Sequence, residues 1–266
     1  MPPKKADQVK KTLEELGLDP NLVWYLRPFF QFLYQHYFRV STVGIKNIPN
    51  KKAIIVANHA GSIPYDGAMV NLAVLNKHRY KRPVRFLVHD FVFELPYLGC
   101  LIEKAGGVRA SPQNAMHLLK KNELILVFPE GVKGIGKPYD KRYKLQKFGK
   151  GGFIRTAIKS KAPIIPTAII GSEEIHPILW SSKTLGEKIN VPYVPITPTF
   201  PWLGPLGLVP LPSKWKIIFG KPILFDKYKA NDADNDHLVL RLSEQVRKKI
   251  QQMLNTNLAK RKSIWQ

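Results

Sequence analysis

Cysteine is nearly absent from this chain: Cys100 stands alone among 266 residues. One thiol cannot close an intramolecular disulfide, and it fits a reducing compartment. With no histidine-rich cluster beside it, zinc has no ligand set, and no metal or cofactor is expected. Acidic residues are also scarce, 19 Asp and Glu against 42 Lys and Arg, for a net charge of +23. Such an excess calls for an anionic partner: nucleic acid, an acidic carrier, or the surface of an anionic bilayer. No apolar run follows the basic Met1-Pro2-Pro3-Lys4-Lys5, so no secretory leader is expected. No Gly-x-Ser-x-Gly elbow is present, which argues against an α/β-hydrolase. Gly131 to Lys137 matches the first seven positions of a phosphate-binding loop. The eighth is Pro138, which has neither hydroxyl nor N–H, so nucleoside triphosphate binding is rejected.

A membrane-spanning helix is missing too. The longest uncharged stretch, Ile189 to Ser213, is broken by Pro192, Pro195, Pro198, Pro201, Pro205, Pro210 and Pro212. Proline at that density cannot hold a helical ladder across hydrocarbon. The Tyr193, Phe200, Trp202, Leu203, Leu206, Leu208 and Val209 of this stretch suit an apolar loop at a membrane interface or over a greasy pocket. A loop packed on the protein's own core is the alternative.

What is present reads as one α/β domain with a sizeable core. Apolar runs predict strands at 53–57, 84–88, 124–128, 164–169 and 215–219, alternating with helices at 66–75, 113–121 and 150–160. Ahead of them, a basic lead with a short helix near Val9–Leu16 is broken by Asp19-Pro20-Asn21. Leu22 to Tyr37 is crowded with aromatics, and Pro28 kinks a helix there or marks where one begins. This stretch is either a helix packed on the domain or an interfacial anchor, and the basic lead favours the anchor. At the other end, Leu238, Leu242, Val246, Ile250, Leu254 and Leu258 repeat at helical spacing over Asp236–Lys262. The expected organisation is therefore a membrane-associating segment over 1–44, a catalytic domain over 45–230 and a basic amphipathic helix over 231–266.

The chemistry concentrates in a few blocks. Val56-Ala57-Asn58-His59 closes a buried strand, and Asp66 follows at the start of a predicted helix. An imidazole at a strand mouth with a carboxylate nearby is what proton abstraction from a hydroxyl requires. A helix cap is the plainer role for Asp66, and a turn is the plainer role for Ser62. Further on come Gly106-Gly107-Val108-Arg109, where glycines allow close backbone approach, then Phe128-Pro129-Glu130-Gly131 after an apolar strand, then Ala162-Pro163-Ile164-Ile165-Pro166. A guanidinium such as Arg109 can grip a phosphate with two hydrogen bonds, or simply sit in a surface loop. Lys133 opens a basic stretch to Lys150, suited to acidic lipid, to the phosphates of coenzyme A, to an acidic carrier protein, or to solvent alone.

Over Ile45 to Ile223 these blocks, in this order, resemble the lysophospholipid and glycerophosphate acyltransferase superfamily. One departure is that six residues separate His59 from Asp66 where the common pattern has four, leaving Pro64 at the usual Asp position. In this the chain looks most like the divergent monoacylglycerol- and diacylglycerol-acyltransferase-like branch. The resemblance implies a glycerolipid-acyltransferase-type domain with a mostly parallel central sheet flanked by helices. It implies His59 and Asp66 as catalytic residues and Asn58, Arg109, Glu130, Gly131 and Lys133 as substrate-binding. The co-substrate would be acyl-CoA or an acyl carrier protein, the acceptor a glycerolipid, and the location the cytoplasmic side of a membrane. A phosphate-binding Arg109 favours lysophosphatidate or a lysophospholipid, whereas the altered His–Asp spacing favours a neutral acylglycerol. The rival reading is a non-catalytic basic protein on anionic membrane or nucleic acid. Simple binding does not call for the ordered blocks, no nucleic-acid motif is present, and no nucleic acid is expected.

Overall fold

The computed structural model describes residues 17–60, 65–95, 97–188 and 191–265. The short helix expected near Val9–Leu16, and Ser62 and Pro64, lie outside those residues. In chain order the elements are α1 (Pro20–Phe32), β1 (Ser41–Val43), β2 (Ala53–Ala57), α2 (Tyr65–Lys77), β3 (Val84–Val88), α3 (Asp90–Glu94), α4 (Leu98–Lys104), β4 (Gly107–Arg109), α5 (Pro112–Lys120), β5 (Leu124–Val127), α6 (Val132–Ile135), α7 (Gly152–Ser160), β6 (Ile164–Ile170), β7 (Trp180–Ser182), α8 (Lys183–Lys188), β8 (Val194–Ile196), β9 (Lys216–Phe219) and α9 (Asp236–Leu258).

Seven strands form one sheet in the order β1-β9-β6-β2-β5-β3-β4. Every pairing in it is parallel except β6 with β9, so β1 and β9 run against the other five. β2 and β6 are buried along their whole length because helices cover both faces of the sheet. Alternation along β2 divides the core in two. Ile54 and Val56 pack with α5, α7 and α9, whereas Ala53, Ile55 and Ala57 pack with α2 and with Phe38 and Trp215. Pro163 and Gly171 bound β6 and Gly220 ends β9, and β2 and β3 coincide with their expected spans.

Two ends differ in detail from expectation. Asp19 and Pro20 start a helix: the Asp19 carboxylate accepts the N–H groups of Asn21 and Leu22, and Pro20 fills the first turn, where a missing N–H costs nothing. The helix runs through Pro28 and widens into a π-turn over Leu33–Tyr37. β1 lies ahead of the expected domain start at residue 45, pairing with β9 as the sheet's edge. At the C-terminus α9 buries Val239, Leu242, Val246, Ile250 and Leu254, then stops at Leu258, where Arg261 turns back onto Glu174. Among the described residues no helix is long and apolar enough to cross a membrane.

Candidate active site

Parallel register brings the site together. Val56 of β2 is paired with Val127 of β5, so continuing both chains three residues sets His59 level with Glu130 at the strand ends. The His59 N–H donates to Glu130 Oε1 at 3.0 Å, fixing the backbone at that point. The imidazole lies against Phe128 with ring centroids 4.2 Å apart and planes 15° from parallel. Its Nδ1 is 2.7 Å from Asp66 Oδ2. The longer spacing therefore still delivers a carboxylate to the ring.

Asp66 is fully buried in the first turn of α2, inside the helix rather than capping it. It accepts the N–H of Gly67 at 2.8 Å and of Ala60 at 3.1 Å, and the positive end of the helix favours its charge. With Nδ1 held, Nε2 has no hydrogen-bond partner among the described residues, and the side chain keeps 15% of its surface open. A ring oriented on one nitrogen and open on the other is arranged to accept a proton.

Two glycines make room for this geometry. Gly131 has φ +55°, and Gly134 on α6 sits so close that an added Cβ would meet Glu130 Cβ at 2.7 Å and His59 Cβ at 3.0 Å. Lys133, between them, is exposed.

Asn58 and Glu130, expected as substrate contacts, make internal hydrogen bonds. Asn58 is fully buried and bonds both ways to Ile169: its Oδ1 accepts the Ile169 N–H at 2.7 Å and its Nδ2 donates to the Ile169 carbonyl at 3.0 Å. Glu130 is buried, with Oε2 accepting the Gln146 N–H at 2.7 Å and lying 3.3 Å from Lys137 Nζ. Both side chains are consumed in holding the strand ends that carry His59.

Behind them lies a charged network that sequence reasoning missed. Lys137, the lysine of the false phosphate loop, is buried and reaches both oxygens of Glu173 at 3.1–3.2 Å. Glu173 Oε2 also accepts the Tyr143 N–H at 2.8 Å. Burial pushes the Glu173 carboxyl above its usual range, and Lys137 pulls it back. The Tyr143 hydroxyl donates to Glu174, which Arg261 clamps with two bonds of 2.6 and 2.8 Å. One signal could have found this: Glu173-Glu174 follows the seven-residue apolar strand β6, at the end of the sheet where α/β folds place functional groups.

Arg109 stands apart. It ends β4, three strand spacings from β2, or about 14 Å across the sheet. It is half exposed, 3.4 Å from Asp90 and stacked over Phe93, at a cleft of about 380 Å³ shared with Cys100, Glu103 and Asn114. His89-Asp90 does not form a second His–Asp unit: Asp90 faces Arg109 and the His89 ring leans on Phe91. Among the described residues no three His, Cys, Asp or Glu side chains converge to hold a metal.

Comparison with known proteins gives the same direction. A family model described as Acyltransferase matches residues 39–170, the span from β1 to β6 that contains His59, Asp66, Arg109 and Glu130. An uncharacterized protein of Mycobacterium leprae is 48% identical over 96% of this chain and 70% of its own length. A Gallus gallus protein named DGAT1/2-independent enzyme synthesizing storage lipids is 30% identical over 69% of this chain; the match spans 52% of that relative. Among solved structures, the 1-acyl-sn-glycerophosphate (LPA) acyltransferase PlsC from Thermotoga maritima shares the fold. Its TM-score is 0.58 over 99% of this chain and 86% of that one, at 19% identity. The chain belongs to the acyltransferase family and is an enzyme.

Proposed function

We propose that the protein is a membrane-associated O-acyltransferase that moves a fatty acyl group from a coenzyme A or carrier-protein thioester to a glycerolipid hydroxyl, with His59 as general base. The observation that carries this reading is the imidazole held at 2.7 Å by a fully buried carboxylate, with its second nitrogen open. Asp66 fixes the tautomer with the proton on Nδ1 and stabilises the imidazolium when it forms. His59 Nε2 takes the proton of the acceptor hydroxyl as its oxygen attacks the thioester carbonyl. The tetrahedral oxyanion then collapses, the C–S bond breaks, and the thiolate recovers the proton from the imidazolium. The products are an ester and a free thiol, and no acyl-enzyme intervenes.

Two apolar surfaces support placement at a bilayer. Trp24, Tyr25, Phe29 and Phe32 of α1 point outward, as do Trp202, Leu203, Leu206 and Val209 of the proline-rich loop. The two are joined where the Tyr37 hydroxyl donates to the Pro210 carbonyl at 2.6 Å. Exposed aromatic groups on a protein of charge +23 suit the interface of an anionic membrane. Arg109, Gly131 and Lys133 are the groups available to the acceptor.

The test is release of free thiol from acyl-CoA with detergent-dispersed lysophosphatidate or monoacylglycerol. Acceptor-dependent release is expected, and the better acceptor names the substrate. No release with either lipid from either acyl-CoA or an acyl carrier protein would overturn the proposal.

A further inference from the structure

We propose that Lys137 is a positioning residue for acyl transfer: as the central cation of a buried Glu130–Lys137–Glu173 triad, it holds the carboxylate that fixes the His59 backbone. This rests on His59 being the base.

The geometry leaves Lys137 no other task. Its ammonium is 3.3 Å from Glu130 Oε2 and 3.1–3.2 Å from both oxygens of Glu173, and all three side chains are nearly inaccessible. Two carboxylates this close would repel in a low-dielectric interior, and one would take up a proton. Lys137 between them offsets that repulsion, and each carboxylate has further donors: Glu130 receives the N–H groups of His59 and Gln146, Glu173 that of Tyr143. The triad thus clamps three segments at once, the end of β2, the end of β5 and the turn after β6. Asn58 joins the last to the first, bonding Ile169 and lying 3.5 Å from Glu173. A neutral residue at 137 would leave Glu130 without the cation that holds it, and the His59 N–H would lose its anchor.

The charges that bear on His59 can be counted. Asp66 faces the ring, Glu130 faces its N–H, and Lys137 and Glu173 stand behind, giving the triad a net single negative charge. Arg247 on α9 also feels Glu130. Removing the Glu173 charge leaves Lys137 held by a carboxylate from one side only.

The experiment compares Glu173→Gln, Lys137→Met and Lys137→Arg with wild type in the thiol-release assay, each checked by thermal melting. Glu173→Gln keeps the shape and an acceptor for Tyr143 but not the charge, and should lose about threefold or more in kcat with the thioester KM unchanged. Lys137→Met should lose at least about tenfold in kcat with the thioester KM unchanged. Lys137→Arg, whose fork can still reach both carboxylates, should recover most of that loss. A merely structural lysine would lower melting in Lys137→Met while the folded enzyme kept its kcat. Normal kcat in both Lys137→Met and Glu173→Gln overturns the proposal while leaving His59 as base. If Lys137→Met fails to fold, the kcat of Glu173→Gln and of Lys137→Arg decides. Activity retained in His59→Ala would remove the underlying reading instead.

Discussion

The core behind His59 and the surface formed by α1 with the proline-rich loop invert the usual rule in opposite senses. One buries charge: Asp66, Glu130, Lys137, Glu173 and Glu174 all lie out of water. The other exposes aromatics, with Trp24 at 74% and Trp202 at 73% of their free surface. Folding alone would place neither there, since buried ions lose solvation and exposed tryptophans forgo burial. The contrast teaches where function costs stability. In the core, the charged groups hold one another around the His59 backbone; on the surface, apolar area is left exposed, as the proposed membrane role would require.

Substitutions can break this comparison. Glu130→Ala strands Lys137 beside a single carboxylate and frees two N–H groups, so it should destabilise the fold by about 3–5 kcal/mol in denaturant titration. A cost near zero would mean that the buried ions do not act as a unit. Trp24→Ser combined with Trp202→Ser should do the reverse. Folding stability stays within about 0.5 kcal/mol, while affinity for anionic vesicles falls on the order of a hundredfold. Unchanged vesicle binding would leave those aromatics without a membrane role. Arg109→Ala should raise the acceptor KM roughly tenfold if the acceptor carries a phosphate, and leave it unchanged for a neutral acylglycerol.

The smallest effect falls at the joint between the two regions. His176 is buried, donates from Nε2 to the Leu208 carbonyl of the proline-rich loop at 3.0 Å, and lies beside the Tyr65 ring. Burial lowers its pKa from the ordinary value of 6.5. The unfolded chain therefore binds more protons below that value, so this contribution to stability is present above pH 6.5 and is lost as pH falls through the folded pKa. Melting temperature should drop between pH 7 and 5 less in His176→Gln than in wild type; equal slopes would contradict it.

Much of this was legible in the sequence, for physical reasons. Strands covered on both faces must be apolar throughout, so β2 and β5 announced themselves, and α9 showed its buried stripe. β1, β4, β7 and β8 are three residues each, too short for any period to register. The meeting of His59 and Asp66 was legible because one closes a strand and the other opens the helix that follows it. The triad was not. Lys137 and Glu173 are 36 positions apart, and a charged residue in a sequence reads as a solvated one until the fold encloses it. The same enclosure gives Asn58 and Glu130 internal hydrogen bonds that their place in the sequence did not announce.

The most direct measurement is acceptor-dependent thiol release by His59→Ala, with melting and vesicle binding measured on the same preparation. A loss of about a thousandfold or more in kcat, with fold and vesicle affinity intact, is the predicted result. Turnover within about tenfold of wild type would contradict the assignment of His59 as the base.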